Sequence, residues 1–247
     1  MLDCHICDGQ YSPIGNYENV YICSWCDHIH RVYEGDNFAY HQDQYRKDSR
    51  FFRGDDEYNK DGSINSRFHE ARKGIVSSRK ERIKEILDRE YTCFDIGAGA
   101  GTFLSEIKEN VKEAHCNEVA PPLIQECERL GFKTYAGDFL KLDIPKTYDI
   151  VFAWHVLEHV EDIDAFKEKL LQMTNKYCVV EIPTLESMDS SVPKKRALQN
   201  PTNENWDGHV HYFSPLSLKK FFEKEFKIMK FEPGVQDPAI LCVMEKR

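Results

Sequence analysis

Two pairs of cysteines, Cys4-x-x-Cys7 and Cys23-x-x-Cys26, flank a stretch containing Gly9, Pro13, Gly15 and Asn16. Each knuckle can place two thiolates on one ion at about 2.3 Å, and two knuckles complete the tetrahedron that zinc favours. Turn residues between the pairs let short strands reverse and bring them together. A redox pair needs only one knuckle and a thioredoxin-like surround. Four thiolates close the shell and leave no position for water, so the expected zinc is structural. His5, His28 and His30 then lie at the surface or behind the ligands.

A second stretch is Phe94-Asp95-Ile96-Gly97-Ala98-Gly99-Ala100-Gly101-Thr102. Glycines between a strand and a helix let backbone approach a ligand and permit positive φ. A dinucleotide fingerprint needs Gly-x-Gly-x-x-Gly, but Thr102 stands where its third glycine belongs. A Walker loop needs Gly-Lys-Ser/Thr, and no lysine is present. Asp95 at the head of the loop suits a cationic ligand better than a polyphosphate.

Asp95 to Gly101, as Asp-x-Gly-x-Gly-x-Gly, resembles the first motif of class I S-adenosylmethionine-dependent methyltransferases, and the resemblance runs in register over about Phe68 to Arg247. It implies a cofactor site made of Asp95, Gly97, Ala98, Gly99 and Gly101. Glu118 would accept the ribose hydroxyls, Asp138 the exocyclic amine, and Phe139 would cover the adenine ring. Tyr148 to Trp154 resembles the fourth strand and puts Trp154 at the same site. His155-Val156-Leu157-Glu158-His159-Val160 resembles the family's "LEH" signature, and His211-Tyr212-Phe213-Ser214-Pro215 is similar to its last motif. Residues after the fourth strand face the methyl group in this fold. The resemblance therefore implies His159 as general base, Glu158 as its supporting acceptor or substrate ligand, and His155 as a second base, since imidazole titrates near neutrality. Each residue also has a plainer reading, as a cap, a solvated strand end or core. His209, His211 and Tyr212 are weaker candidates for the acceptor pocket.

These residues need a scaffold. Runs at Tyr91–Ile96, Ala114–Val119, Phe132–Ala136, Tyr148–Trp154 and Tyr177–Ile182 read as strands. Thr102–Asn110, Pro122–Leu130, Ile163–Met173 and Leu216–Phe226 read as helices. Phe226–Phe231 and Ala239–Met244 follow as antiparallel neighbours at an edge, and Phe68–Leu87 is an amphipathic helix. The pattern predicts an α/β fold: a Rossmann-like, seven-stranded, mainly parallel sheet with helices on both faces, plus the small N-terminal zinc ribbon. Residues 1–32 form the zinc module and 67–247 the methyltransferase domain. Residues 33–66 form an aromatic-rich linker expected to pack between the zinc module and the main domain, with Tyr40 or Tyr45 as candidates to face a substrate. Ser187 to Asp207, with Lys194, Lys195 and Arg196, reads as a lid or substrate loop.

The whole chain has 247 residues, 33 Lys+Arg against 42 Asp+Glu, and a net charge of −9. That balance argues against wholesale nucleic-acid binding. No apolar run approaches a bilayer span and no signal-peptide pattern opens the chain, so a cytoplasmic enzyme without membrane contact is expected. Zinc knuckles ahead of such a domain resemble bacterial enzymes that decorate sugars or polysaccharide precursors. The sugar C-methyltransferases carry a further C-terminal domain, whereas this sequence stops at Arg247 after its seventh strand. The expected reaction is therefore O- or N-methylation of a small polar metabolite, such as a nucleotide-linked or phosphorylated glycan precursor. RNA methylation, a zinc-ribbon binding module and sugar C-methylation are the alternatives.

Overall fold

The computed structural model describes residues 2–15, 19–32, 66–183, 208–235 and 239–247, with side chains in the first helix from Lys73 onward. The linker aromatics, including Tyr40 and Tyr45, and the loop from Ser187 to Asp207 lie outside the described residues. Cα packing divides the chain into two compact units, Met1–Asn37 with Trp154–Arg247, and Phe38–Ala153.

In the second unit, α1 (Ser66–Ile83) ends in a 3-10 turn (Lys84–Ile86) and buries Val76, Ile83 and Ile86. It leads to β5 (Thr92–Ile96), α2 (Thr102–Ile107), β6 (Glu113–Glu118), α3 (Pro121–Arg129), β7 (Lys133–Ala136) and most of β8 (Tyr148–Trp154). Here β6 pairs with β5 and β7, and β5 with β8, all parallel. Ile150, Val151, Phe152 and Ala153 are fully buried, as expected of a parallel strand covered on both faces. Prolines at the first positions of α3 cost nothing, because those N–H groups have no partner inside the helix.

The first unit contains four short strands, β1 (Leu2–Asp3), β2 (Gln10–Pro13), β3 (Val20–Cys23) and β4 (Ile29–Arg31). Farther along come α4 (Ile163–Met173), β9 (Thr174–Pro183), β10 (His211–Tyr212), α5 (Pro215–Phe222), β11 (Phe226–Pro233) and β12 (Ala239–Lys246). The antiparallel strands β1 to β4 take β10 as a fifth, in the order β1-β2-β3-β4-β10. The larger sheet runs β11-β12-β9-β8-β5-β6-β7. It is mixed, because β9, β12 and β11 are antiparallel neighbours.

Helix α5 is shorter than expected and stops at Phe222, where the Glu223 N–H closes the last turn on the Lys219 carbonyl. Its start is fixed by a reciprocal cap between Ser214 and Ser217.

Candidate active site

Four carboxylates are buried at the carboxyl ends of strands or just after them: Asp95 ends the first half of its motif on β5, Glu118 ends β6, Glu158 follows β8, and Glu181 lies near the end of β9. A charge in an apolar strand end needs a partner or a purpose. The four fall into two groups, one in each compact unit.

In the Phe38–Ala153 unit, Gly97, Gly99 and Gly101 have φ of 65°, 58° and 68°. A Cβ on Gly101 would stand 3.2 Å from Cys127 Sγ, so a side chain there is both strained and crowded. Ala98 N–H donates to the Asn117 carbonyl, and Gly97 N–H to the Asn117 side chain. Glu118 Oε2 accepts the Gly99 N–H at 2.8 Å, while Oε1 accepts from Val119 and Ala120. Glu118 is thus turned onto the glycine loop and fixes its shape, and burial pushes its carboxyl above the usual range. Asp95 is 1% exposed, and its Oδ1 has no hydrogen-bond partner among the described residues. Burial holds it well above the ordinary carboxylate range. An orphaned carboxylate oxygen heading a positive-φ cradle fits a cationic ligand that contacts backbone closely. Asp138 accepts the Leu140 N–H and pairs with Lys141, so it caps its own turn, and Phe139 is buried beside it. Trp154 belongs to the other unit and is 8% exposed.

That other unit holds the second group. His155 adopts φ 56°, rare for a residue with a side chain, and its N–H donates to the Glu181 carbonyl at 2.7 Å. The forced turn places its Nε2 3.2 Å from Glu181 Oε1 and its Nδ1 3.5 Å from Glu158 Oε1. Glu158 and His159 sit on the 3-10 turn Leu157–His159. His159 Nε2 lies 4.0 Å from Glu158 Oε1, and its Nδ1 lies 3.2 Å from the Gly208 carbonyl. A carbonyl only accepts, so Nδ1 donates and the neutral ring carries its lone pair on Nε2, toward Glu158. His209 meets His159 edge to face at 4.6 Å, and Val210 N–H donates to the Glu158 carbonyl. Burial pushes the Glu158 carboxyl up, but His155 and the nearby His159 and His209 outweigh it and hold it below the usual range. His155, Glu158 and His159 are therefore brought together, and His209 joins them. Sequence reasoning missed Glu181. Its signal was available: it is the one charge inside the run Cys178-Val179-Val180-Glu181-Ile182.

The cysteines converge in this same unit. Cys4 and Cys26 Sγ are 3.7 Å apart, Cys7 and Cys23 Sγ 3.6 Å, and all four sulfurs lie within 4.8 Å of one another. None of the nine cysteines forms a disulfide. The hydrogen bond from Cys26 pulls the Cys4 thiol down to about 4, and the Ile6 N–H adds to it. Behind the cluster, the Tyr11 hydroxyl is 2.6 Å from His28 Nδ1, and the His28 and His30 rings stack on His211. His211 lies on β10, whose register pairs it with His30.

The chain matches the methyltransferase-domain family model over residues 68–225. No curated protein matches it. Among solved structures it is similar to magnesium protoporphyrin IX methyltransferase from Synechocystis with bound SAH, at 15% identity and TM-score 0.62, over 85% of this chain and 99% of that one. It is also similar to the N-methyltransferase NodS from Bradyrhizobium japonicum in complex with S-adenosyl-L-homocysteine, at 14% identity and TM-score 0.56, over 86% and 99%. A Pyrococcus horikoshii protein shares 15% identity and TM-score 0.60, over 81% and 99%. These likenesses are of fold.

Proposed function

The chain belongs to the methyltransferase-domain family of S-adenosylmethionine-dependent enzymes, and from that premise we propose that it methylates an O or N atom of a small polar metabolite, with Glu158, His159 and His155 at the acceptor end. The observation that carries this reading is the imidazole cluster around a buried carboxylate just after β8. S-adenosylmethionine supplies an electrophilic methyl group, and the protein's part is alignment and proton removal. The fixed tautomer of His159 puts its lone pair on Nε2, where it takes the acceptor proton. Glu158 stabilises the imidazolium that results, and His155, braced by Glu181, is the second base.

On the cofactor side, the loop of Gly97, Ala98, Gly99 and Gly101 approaches the ligand with its backbone, and Asp95 faces its charge. Glu118 keeps one lone pair on Oε2 in reserve for a ribose hydroxyl while it holds Gly99, and Oε1 is taken up by Val119 and Ala120. Asp138, Phe139 and Trp154 complete this proposed set. The four convergent sulfurs of Cys4, Cys7, Cys23 and Cys26 fit one zinc ion. It would tie β1 to β4 together and supply folding energy, with no open position for chemistry. The division into 1–32, 33–66 and 67–247 is kept as zinc module, linker and transferase. A cytoplasmic location and a glycan precursor as acceptor remain part of this proposal, the latter on analogy. Among the described residues, no helix is long and apolar enough to cross a membrane.

Calorimetry with S-adenosylmethionine tests the cofactor half. Binding by the intact protein that is lost in Gly99→Arg is expected, whereas no binding by the intact protein ends the reading. Labelled methyl transfer into a fractionated metabolite extract, with mass spectrometry of the product, identifies the acceptor atom.

A further inference from the structure

Glu158 poses a problem that the base mechanism leaves standing. Its side chain is 1% exposed, its nearest partner among the described residues is His155 Nδ1 at 3.5 Å, and neither oxygen takes a hydrogen bond of ordinary geometry. Burying an ionised carboxylate without hydrogen bonds is costly, and such groups are normally paired or bound to a metal. We propose that Glu158, His159 and His209 form a binding site for one divalent first-row transition ion, separate from the cysteine cluster.

One ligand atom from each of the three residues lies within 4.8 Å of the others. Two donors each about 2.1 Å from a shared ion stand no more than about 4.2 Å apart. The 4.0 Å between His159 Nε2 and Glu158 Oε1 is already inside that limit. The approach of Gly208 to His159 Nδ1 is the arrangement that metal-binding imidazoles use: the far nitrogen donates to a carbonyl, and the near one keeps its lone pair for the ion. The Val210 N–H to Glu158 carbonyl bond holds His209 against the turn that carries the other two ligands. Two imidazoles and one carboxylate are a donor set for zinc, cobalt or nickel, not for calcium or magnesium. Three protein donors leave a position open, which an acceptor oxygen or a water fills.

This inference rests on the cluster being the acceptor end of the proposed transferase, and it adds a condition to it. The His159 Nε2 lone pair can hold an ion or take a proton, not both. The metal-loaded protein is then a form in which His159 is no longer a base.

The test uses the full chain purified with zinc on its cysteines and titrated with Co(II), followed by calorimetry and visible absorption. One further ion per chain is expected, with a ligand-field band and no sulfur-to-cobalt charge transfer. Its affinity should fall about tenfold or more in His209→Ala and in Glu158→Gln, each of which should still bind S-adenosylhomocysteine as the unaltered protein does. A titration with no second ion, or a second ion held equally well by both variants, overturns the proposal. S-adenosylhomocysteine binding without a second ion removes the metal site alone. Loss of S-adenosylhomocysteine binding by the unaltered protein instead removes the transferase reading.

Discussion

The base role proposed for His159 rests on one carbonyl. With Gly208 accepting from Nδ1, removal of the ring takes away the lone pair and leaves the glycine loop intact. His159→Ala is expected to slow methyl transfer by about 100-fold or more, with S-adenosylmethionine affinity unchanged by calorimetry. Glu158 titrates below its ordinary range, so its contribution to stability is present in full above about 4.5 and is lost as the pH falls through the depressed folded value. Urea denaturation between pH 7 and pH 3 should show that acid limb in the natural protein and a flatter one in Glu158→Gln. Gly101→Ala places a Cβ at φ 68° against Cys127 Sγ and should cost about 1–3 kcal/mol in thermal denaturation, with weaker cofactor binding. The glycine loop and the His155-to-His159 run were legible in the sequence because they are local, and spacing alone marks them. Glu181 was not, since its meaning comes from a backbone turn at His155, just after β8. Glu118 and Asp138 were legible as acids at strand ends, but their grip on the Gly99 and Leu140 N–H groups depends on loop geometry that no spacing encodes.

Ser214 shows how much one element end can carry. Its hydroxyl accepts the Ser217 N–H at the start of α5 and donates to the Cys26 carbonyl at 2.8 Å, so it both caps a helix and braces a knuckle. Ser214→Ala is expected to destabilise the protein by about 1–2 kcal/mol, read as a lowered urea midpoint with an unchanged slope. Strand β8 was readable to the residue because all but one of its side chains are buried. Strand β9 begins at Thr174, earlier than its apolar run, because Asn175 and Lys176 are exposed and give no periodic signal. Two-residue β10 has no period at all, and only its pairing with β4 defines it.

Across the molecule, the first unit contains a core of neutral imidazoles. Burial drives His211 down to about 3 and His30 to about 4. Both rings are protonated more readily in the unfolded chain, so stability should fall as the pH drops from about 6.5 toward those values. His211→Phe should shrink the loss in a pH series of thermal midpoints. If the cysteine cluster holds zinc as proposed, metal analysis is expected to find about one zinc per chain, and its removal by a chelator should lower the thermal midpoint and expose the four thiols to titration. The α/β class and the seven strands were legible because alternating elements leave repeating patterns. The acceptor was not, because it is chosen by side chains that converge from separate segments.

His28 and His211 touch although 183 positions separate them, and β4 has no outer neighbour until β10 reaches it. On the ribosome, the four cysteines emerge early and can gather an ion long before His211 is made. Loop closure over that distance is slow, and an unpaired strand edge invites association with other chains in the interval. The nascent protein is therefore most exposed to misassembly after the cysteine module has formed and before β10, in about the last sixth of the chain, arrives. A truncation ending before residue 208 should aggregate through β4 even when fully loaded with zinc.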